Sequence, residues 1–246
     1  EMKFSSGIAV ATTLLWQMYL LPGAVFAFQQ PVVRPSHHHQ HPSVVTTMRS
    51  RTSALCMAAA PTLYGHPGTR SPLVNWGAYE VGIDLVMGDL QENPHPFGQI
   101  PCLTHNDVLV FESGAILQYL HDKSPQNKWT PKEAAAITSW IMWANASLDP
   151  ICFLETPDGK VYDTGLKQPN KRIAQLDAML SKQTYLLGAE FSLADVAVAS
   201  YLLYVLQFFP GVNLSRWPHL KRYMKDCASR PAYAKAFGEK VQQLVV

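Results

Sequence analysis

Thr69 and Ser71 place two hydroxyls on either side of Arg70, directly before Pro72, and this order reads as a helix start with Ser71 as N-cap and Pro72 at the first helical position. A second helix start follows Phe111, where Ser113 stands as N-cap after Glu112. Free backbone N–H groups and the positive end of the helix dipole suit both places to an anion. A capping Ser71 is occupied, which leaves Thr69 with the freer hydroxyl, and Arg70 between them can contact an anion. Sulfur chemistry is sparse: of four cysteines, Cys56 falls in or near the segment read below as a removable leader, and Cys102, Cys152 and Cys227 are widely spaced, odd in number and include no Cys-x-x-Cys pair. Neither a disulfide framework nor a zinc site is indicated, and the three read as small buried apolar side chains. The tract His37-His38-His39-Gln40-His41 has metal-binding composition, but it falls in a segment read below as a removable leader, so no metal is assigned.

The elements that must position these residues alternate in type through the first half. Thr62-Leu63-Tyr64 reads as a strand, then a helix from Ser71 carries Leu73, Trp76, Gly77 and Val81 on one side, then Ile83 to Met87 as a second strand. Proline breaks the stretch from Gly88 to Gln99 too often for regular structure. Cys102-Leu103-Thr104 and Val108 to Phe111 form a hairpin around Asn106-Asp107, and Ile116, Leu117 and Leu120 give the following helix its apolar face. Strand, helix, strand, hairpin and helix imply one mixed sheet covered by helices.

From Thr130 onward no strand-like run remains. Thr130-Pro131-Lys132-Glu133 is a capping box opening a helix with Ile137, Trp140, Ile141, Ala144 and Leu148. A shorter helix spans about Pro169 to Ser181. Ser192-Leu193-Ala194-Asp195 is a second capping box, and Val196 to Phe209 is apolar nearly all round, as in a helix buried on every side but too short to span a bilayer. Pro218 and Pro231 open the last helices.

Charge separates the first 58 residues from the rest. Between Met2 and Tyr79 there is no acidic residue. Residues 1–27 read as a signal peptide, with Lys3, an uncharged run, a Pro22-Gly23 break and small residues at Ala24 to Ala27; residues 28–58 have transit-peptide composition. The two together resemble the bipartite leader of algae with complex plastids, which implies a location in the plastid, in the stroma or peripheral to the thylakoid. Beyond the leader, sixteen Lys and Arg face seventeen Asp and Glu. That near-neutral balance without a basic run argues against nucleic acid as partner.

Five motifs in order then resemble the glutathione transferases, specifically the serine-type branch with theta and phi members. They are Leu63-Tyr64-Gly65 with a hydroxyl residue soon after, Pro96 to Pro101, Phe111 to Ile116, Phe191 to Asp195, and Trp217-Pro218-His219-Leu220 with Arg230-Pro231-Ala232-Tyr233. The resemblance implies an α+β fold: a thioredoxin-like domain over 59–124, a linker over 125–130 and an all-helical domain over 131–246. It also implies glutathione as substrate, with Pro101 as a cis-proline turning Ile100 outward to pair with the peptide, Gln99 contacting one end, and Glu112 and Ser113 holding the γ-glutamyl group. Thr69 or Ser71 would hydrogen-bond the thiol sulfur. A small hydrophobic electrophile would lie between the domains against Tyr64, Trp140, Met142 and Trp143, the chain forming a homodimer.

Three readings of function follow. The first is a plastid glutathione transferase. The second is a non-catalytic binding or assembly subunit, for instance on a membrane-bound photosynthetic complex; the segment between Met87 and Pro101, about ten residues shorter than the family usually has, fits it. A peroxidase or dehydroascorbate-type reductase is disfavoured, since no cysteine stands at the thiol-activating position.

Overall fold

The computed structural model describes residues 59–125 and 128–243. The expected leader and its histidine tract lie outside these residues. The first half runs β1 (Thr62–Tyr64), α1 (Ser71–Glu80), β2 (Val86–Met87), β3 (Cys102–His105), β4 (Val108–Phe111) and α2 (Ser113–Lys123). The sheet order is β2-β1-β3-β4, with β2 parallel to β1 and the other pairs antiparallel. A parallel pair needs a crossover, and α1 is that crossover. Leu63, Leu103 and Val110 lie opposite one another in register and join Leu73, Trp76, Ile116, Leu117 and Leu120 in one core. The hairpin turns at Asn106, which takes a left-handed φ of 56°, a region asparagine tolerates better than most residues.

Several boundaries differ from the sequence reading. The second strand begins at Val86 rather than Ile83. The Gly88 to Gln99 stretch contains one turn of 3₁₀ helix at Leu90–Glu92, where Asp89 Oδ1 accepts the Gln91 N–H at 2.9 Å. Neither Ser71 nor Ser113 is an N-cap: each is the first residue of its helix, and the cap positions fall to Arg70 and Glu112, whose side chains make no capping bond. That shift hands the work at α1 to Thr69, whose Oγ1 accepts the Ser71 N–H at 3.2 Å.

The second half opens with α3 (Pro131–Trp143), closed by the expected box: Thr130 Oγ1 accepts the Glu133 N–H at 3.3 Å and Glu133 Oε2 accepts the Thr130 N–H at 2.8 Å. Instead of running on as one helix, it widens into a π turn at Ala144–Leu148 before α4 (Asp149–Cys152). Then comes an addition to the helical domain, an antiparallel ribbon of β5 (Leu154–Glu155) and β6 (Val161–Asp163). The remaining helices are α5 (Lys171–Leu180), α6 (Leu193–Phe208), α7 (Pro218–Ala228), α8 (Pro231–Phe237) and α9 (Glu239–Gln243). Every residue of α6 from Leu193 to Val205 is buried, which is why its sequence shows no polar face. No helix among the described residues is long and apolar enough to cross a membrane. The halves share their core: Trp76 of α1, fully buried, packs on Phe191, Tyr233 and Phe237 at 5.8, 5.0 and 6.2 Å between ring centroids.

Candidate functional site

Strand register brings the predicted residues to one end of the sheet. β1 ends at Tyr64 opposite Cys102, the first residue of β3, and Cys102 is opposite Phe111, the last of β4. The Gly65 to Arg70 loop, the Ile100-Pro101 bend and the Glu112-Ser113 step therefore open side by side. β2 runs parallel to β1, so the segment that begins at Gly88 leaves from the same end. The Ile100-Pro101 bond is cis, as expected.

In the loop after β1, the hydroxyls of Thr69 and Ser71 meet at 2.8 Å. Thr69 Oγ1 also lies 2.7 Å from the His66 carbonyl, which can only accept, so Thr69 donates there. Ser71 Oγ accepts the His66 N–H at 3.1 Å and must then give its proton to Thr69. Both hydroxyls are engaged, contrary to the expectation that Thr69 is free and Ser71 occupied as a cap. They differ in access: Thr69 is half-buried, whereas Ser71 is 1% exposed. Gly65 is required here, because a Cβ on it would fall 2.2 Å from Ser71 Oγ.

The helical half braces this loop. The Tyr204 hydroxyl donates to the Thr69 carbonyl at 2.9 Å, and Arg70 Nη2 pairs with Asp149 at 2.6 Å while its guanidinium lies 4.9 Å from the centre of the Tyr201 ring. Arg70 is thus already held by a carboxylate rather than turned to an incoming anion. Burial opposes its charge, but Tyr201, Asp149 and Tyr204 outweigh burial and hold its pKa above the usual value. At Asp149 burial wins over the Arg70 charge and moves the carboxyl upward. The Tyr201 hydroxyl, which burial pushes up to about 12, donates to Asn145 Oδ1 at 3.2 Å. Asn145 comes from the π turn and presses on the start of α2, where a Cβ on Gly114 would sit 3.0 Å from its amide nitrogen. Asn145, Asp149, Tyr201 and Tyr204 were not singled out in the sequence; they lie 31 or more positions from any motif residue they touch, and no local pattern marks them.

At the second helix start, Glu112 is exposed and has a left-handed φ of 67°, a costly conformation for a non-glycine residue. It swings the chain from β4 into α2 and leaves the first N–H groups of a helix of eleven residues at the sheet end. Ser113 is 4% exposed. Gln99 is exposed, and its carbonyl accepts the Asn93 amide at 3.0 Å.

The expected acceptor wall divides. Trp140 and Trp143 meet edge-on at 5.4 Å and Met142 is exposed on the same helix, whereas Tyr64 lies against Gly88. Among the described residues no ring pairing joins Tyr64 to the tryptophans. Two clefts of about 220 and 250 Å³ lie elsewhere, one lined by Glu80, His121, Trp129 and Arg230, the other by Pro61, Ile83, His105 and Tyr119. Among the described residues no group of three or more His, Cys, Asp or Glu is placed to hold a metal ion.

Comparison with known proteins agrees with this fold. Models for the N-terminal and C-terminal domains of glutathione S-transferases match residues 61–122 and 130–231. Glutathione S-transferase 1 of Zea mays is 33% identical over 156 residues, covering 57% of this chain and 73% of that protein. Glutathione S-transferase GstB of Escherichia coli is 30% identical over 171 residues, 63% of this chain and 80% of that protein. Among solved structures, a glutathione S-transferase I bound with lactoylglutathione superposes with a TM-score of 0.58 at 28% identity, covering 76% of this chain and all of that one.

Proposed function

The chain belongs to the glutathione S-transferase family, and on that premise we propose that it binds glutathione across the sheet end and activates its thiol at Thr69 for addition to a small hydrophobic electrophile. The observation that carries this reading is the Thr69–Ser71 hydroxyl pair at the start of α1. The γ-glutamyl carboxylate would lie on the free N–H groups of α2 with Glu112 meeting its ammonium, and the cysteinyl backbone would pair with Ile100. Thr69 would then turn its hydrogen from the His66 carbonyl to the sulfur. That carbonyl keeps the Thr69 backbone N–H at 3.1 Å, so the turn releases one bond and not both.

Magnitudes bound the step. Lowering a thiol from a pKa near 8.5 by about two units takes roughly 2.7 kcal/mol. A hydrogen bond to a charged sulfur supplies about 1.5–3 kcal/mol, and release of the His66 carbonyl gives back about 1 kcal/mol. The positive end of α1 adds about 0.3–1 kcal/mol. The sum, about 0.8–3 kcal/mol, reaches that requirement at its upper end and only if Thr69 itself donates, since buried Ser71 cannot reach a bound sulfur. Ser71 instead supports Thr69 by donating its own proton to Oγ1.

Retention on glutathione-agarose, with elution by millimolar glutathione, tests the binding step. Failure to bind would favour the second reading, a non-catalytic binding or assembly subunit, to which the short Gly88 to Gln99 segment lends support. The plastid location, read from the sequence of residues 1–58, belongs to the same proposal; a fusion of that segment to a fluorescent protein should reach the plastid, and a cytosolic signal would refute it.

A further inference from the structure

The order β4-β3-β1-β2 across the sheet end fixes the direction of any extended thiol peptide bound as above. Its amino-acid head lies at Glu112 and Ser113 after β4, its backbone at Ile100 before β3, and its sulfur at Thr69 after β1. The far end must then project over β2, where the segment from Gly88 to Gln99 begins. In glutathione that end is a carboxylate.

The surroundings there are wrong for a carboxylate. From Ser71 to Asp122 the chain has no Lys or Arg, while Asp84, Asp89, Glu92, Asp107 and Glu112 are all exposed. Asp89 and Glu92 flank the 3₁₀ turn directly after β2. Of the two cations in the first half beyond the leader, Arg70 is held by Asp149 at 2.6 Å, and Lys123 stands at the far end of α2, away from the sheet end, 5.6 Å from the centre of the Tyr119 ring. His95 does not fill the gap, because it is 7% exposed and its Nδ1 is already engaged by the Phe97 N–H at 3.0 Å. What remains are neutral amides, Gln91 and Gln99, both exposed.

We propose that the site takes γ-glutamyl-cysteinyl thiols whose far end is uncharged or cationic, an amide, ester or amine conjugate, in preference to the free glycine carboxylate of glutathione. The inference rests on the binding mode proposed above and concerns only its far end. The γ-glutamyl head and sulfur use the same contacts in every such ligand, so discrimination arises from Asp89 and Glu92 alone.

Calorimetric titration of the purified chain with glutathione, its glycine monoethyl ester and glutathionylspermidine tests the preference. The ester should bind more tightly than glutathione, and the cationic conjugate about threefold tighter at low ionic strength, with that margin shrinking as salt screens it. Binding of glutathione as tight as that of its ester, or tighter, overturns this inference and leaves the proposed function standing. Failure of all three to bind overturns the proposed function and this inference with it. The substitution Glu92→Lys should raise the affinity for glutathione relative to its ester about threefold; an unchanged ratio counts against the assignment of the far end to this segment.

Discussion

With Ser71 Oγ accepting the His66 N–H and donating to Thr69, loss of either hydroxyl removes a partner from the other, but the consequences separate. Thr69→Ala deletes the hydroxyl that can reach sulfur, so kcat/KM should fall by about 10- to 100-fold, the worth of one charge-assisted bond. The acid limb of the pH–rate profile, which follows ionisation of the thiol, should move up toward the pKa of the free thiol. Ser71→Ala leaves the part-buried His66 N–H without its acceptor and should cost about 1 kcal/mol of stability, with the smaller rate loss; Thr69→Ser should restore most of the rate. Conjugation kinetics with a chlorinated aromatic acceptor, beside thermal melts, decide this, and a larger rate loss in a well-folded Ser71→Ala protein would reverse the assignment. Both hydroxyls were legible in the sequence because Pro72 marks a helix start. Their hydrogen-bond roles were not, because those turn on a one-residue difference in where the helix begins. Arg70 was likewise visible as a cation, while its partner Asp149, 79 residues away, was not.

Capping boxes carried most of what could be read about the helices. Thr130-Glu133 and Ser192-Asp195 both close as expected, since such a box needs only residues three apart. The β5–β6 ribbon escaped notice because strands of two and three residues show no alternation; Pro157-Asp158-Gly159, with Gly159 at φ 77°, was the available sign of its turn. The π turn at Ala144–Leu148 has no sequence signature at all, though it places Asn145 at the start of α2. The box at α6 makes a prediction of its own. Asp195 is fully buried, and its carboxylate accepts from the Leu186 N–H, the Ser192 N–H and hydroxyl, and the Tyr223 hydroxyl. Burial outweighs these donors and pushes the carboxyl up to about 6. Between pH near 4 and about 6 the folded chain should therefore hold a proton that the unfolded chain has released. Stability from this group is greatest below pH 4, declines as pH rises to 6 and is level above. Denaturant unfolding of the parent against Asp195→Asn, across that range, should show the slope in the parent alone; parallel curves would place the carboxyl pKa in the ordinary range.

At the scale of the whole molecule the two halves are joined by more than their linker. Trp76 enters a cage of aromatic rings from the helical half, and its indole N–H donates to Glu80 at 2.9 Å. Arg230 grips the same carboxylate through two bonds of 2.6 Å while lying 3.8 Å from the centre of the Phe191 ring. The Glu80 side chain is 9% exposed, so removing its cation strands a nearly buried charge. Neither half can be expected to melt alone, because unfolding the first half would expose one wall of the Trp76 cage to water and leave Arg230 unpaired. Scanning calorimetry should show one transition whose calorimetric and van't Hoff enthalpies agree, as for a single cooperative unit. Arg230→Ala should lose about 2 kcal/mol and lower the midpoint by about 4–8 °C without splitting that transition. The pair Glu80→Gln with Arg230→Ala should cost less than the sum of its parts, since the second change removes the charge stranded by the first. Two resolved transitions in the parent protein would show that the sheet and the helices fold as separate bodies, and the bracing of Thr69 by Tyr204 and of Arg70 by Asp149 would then lose its rigid support.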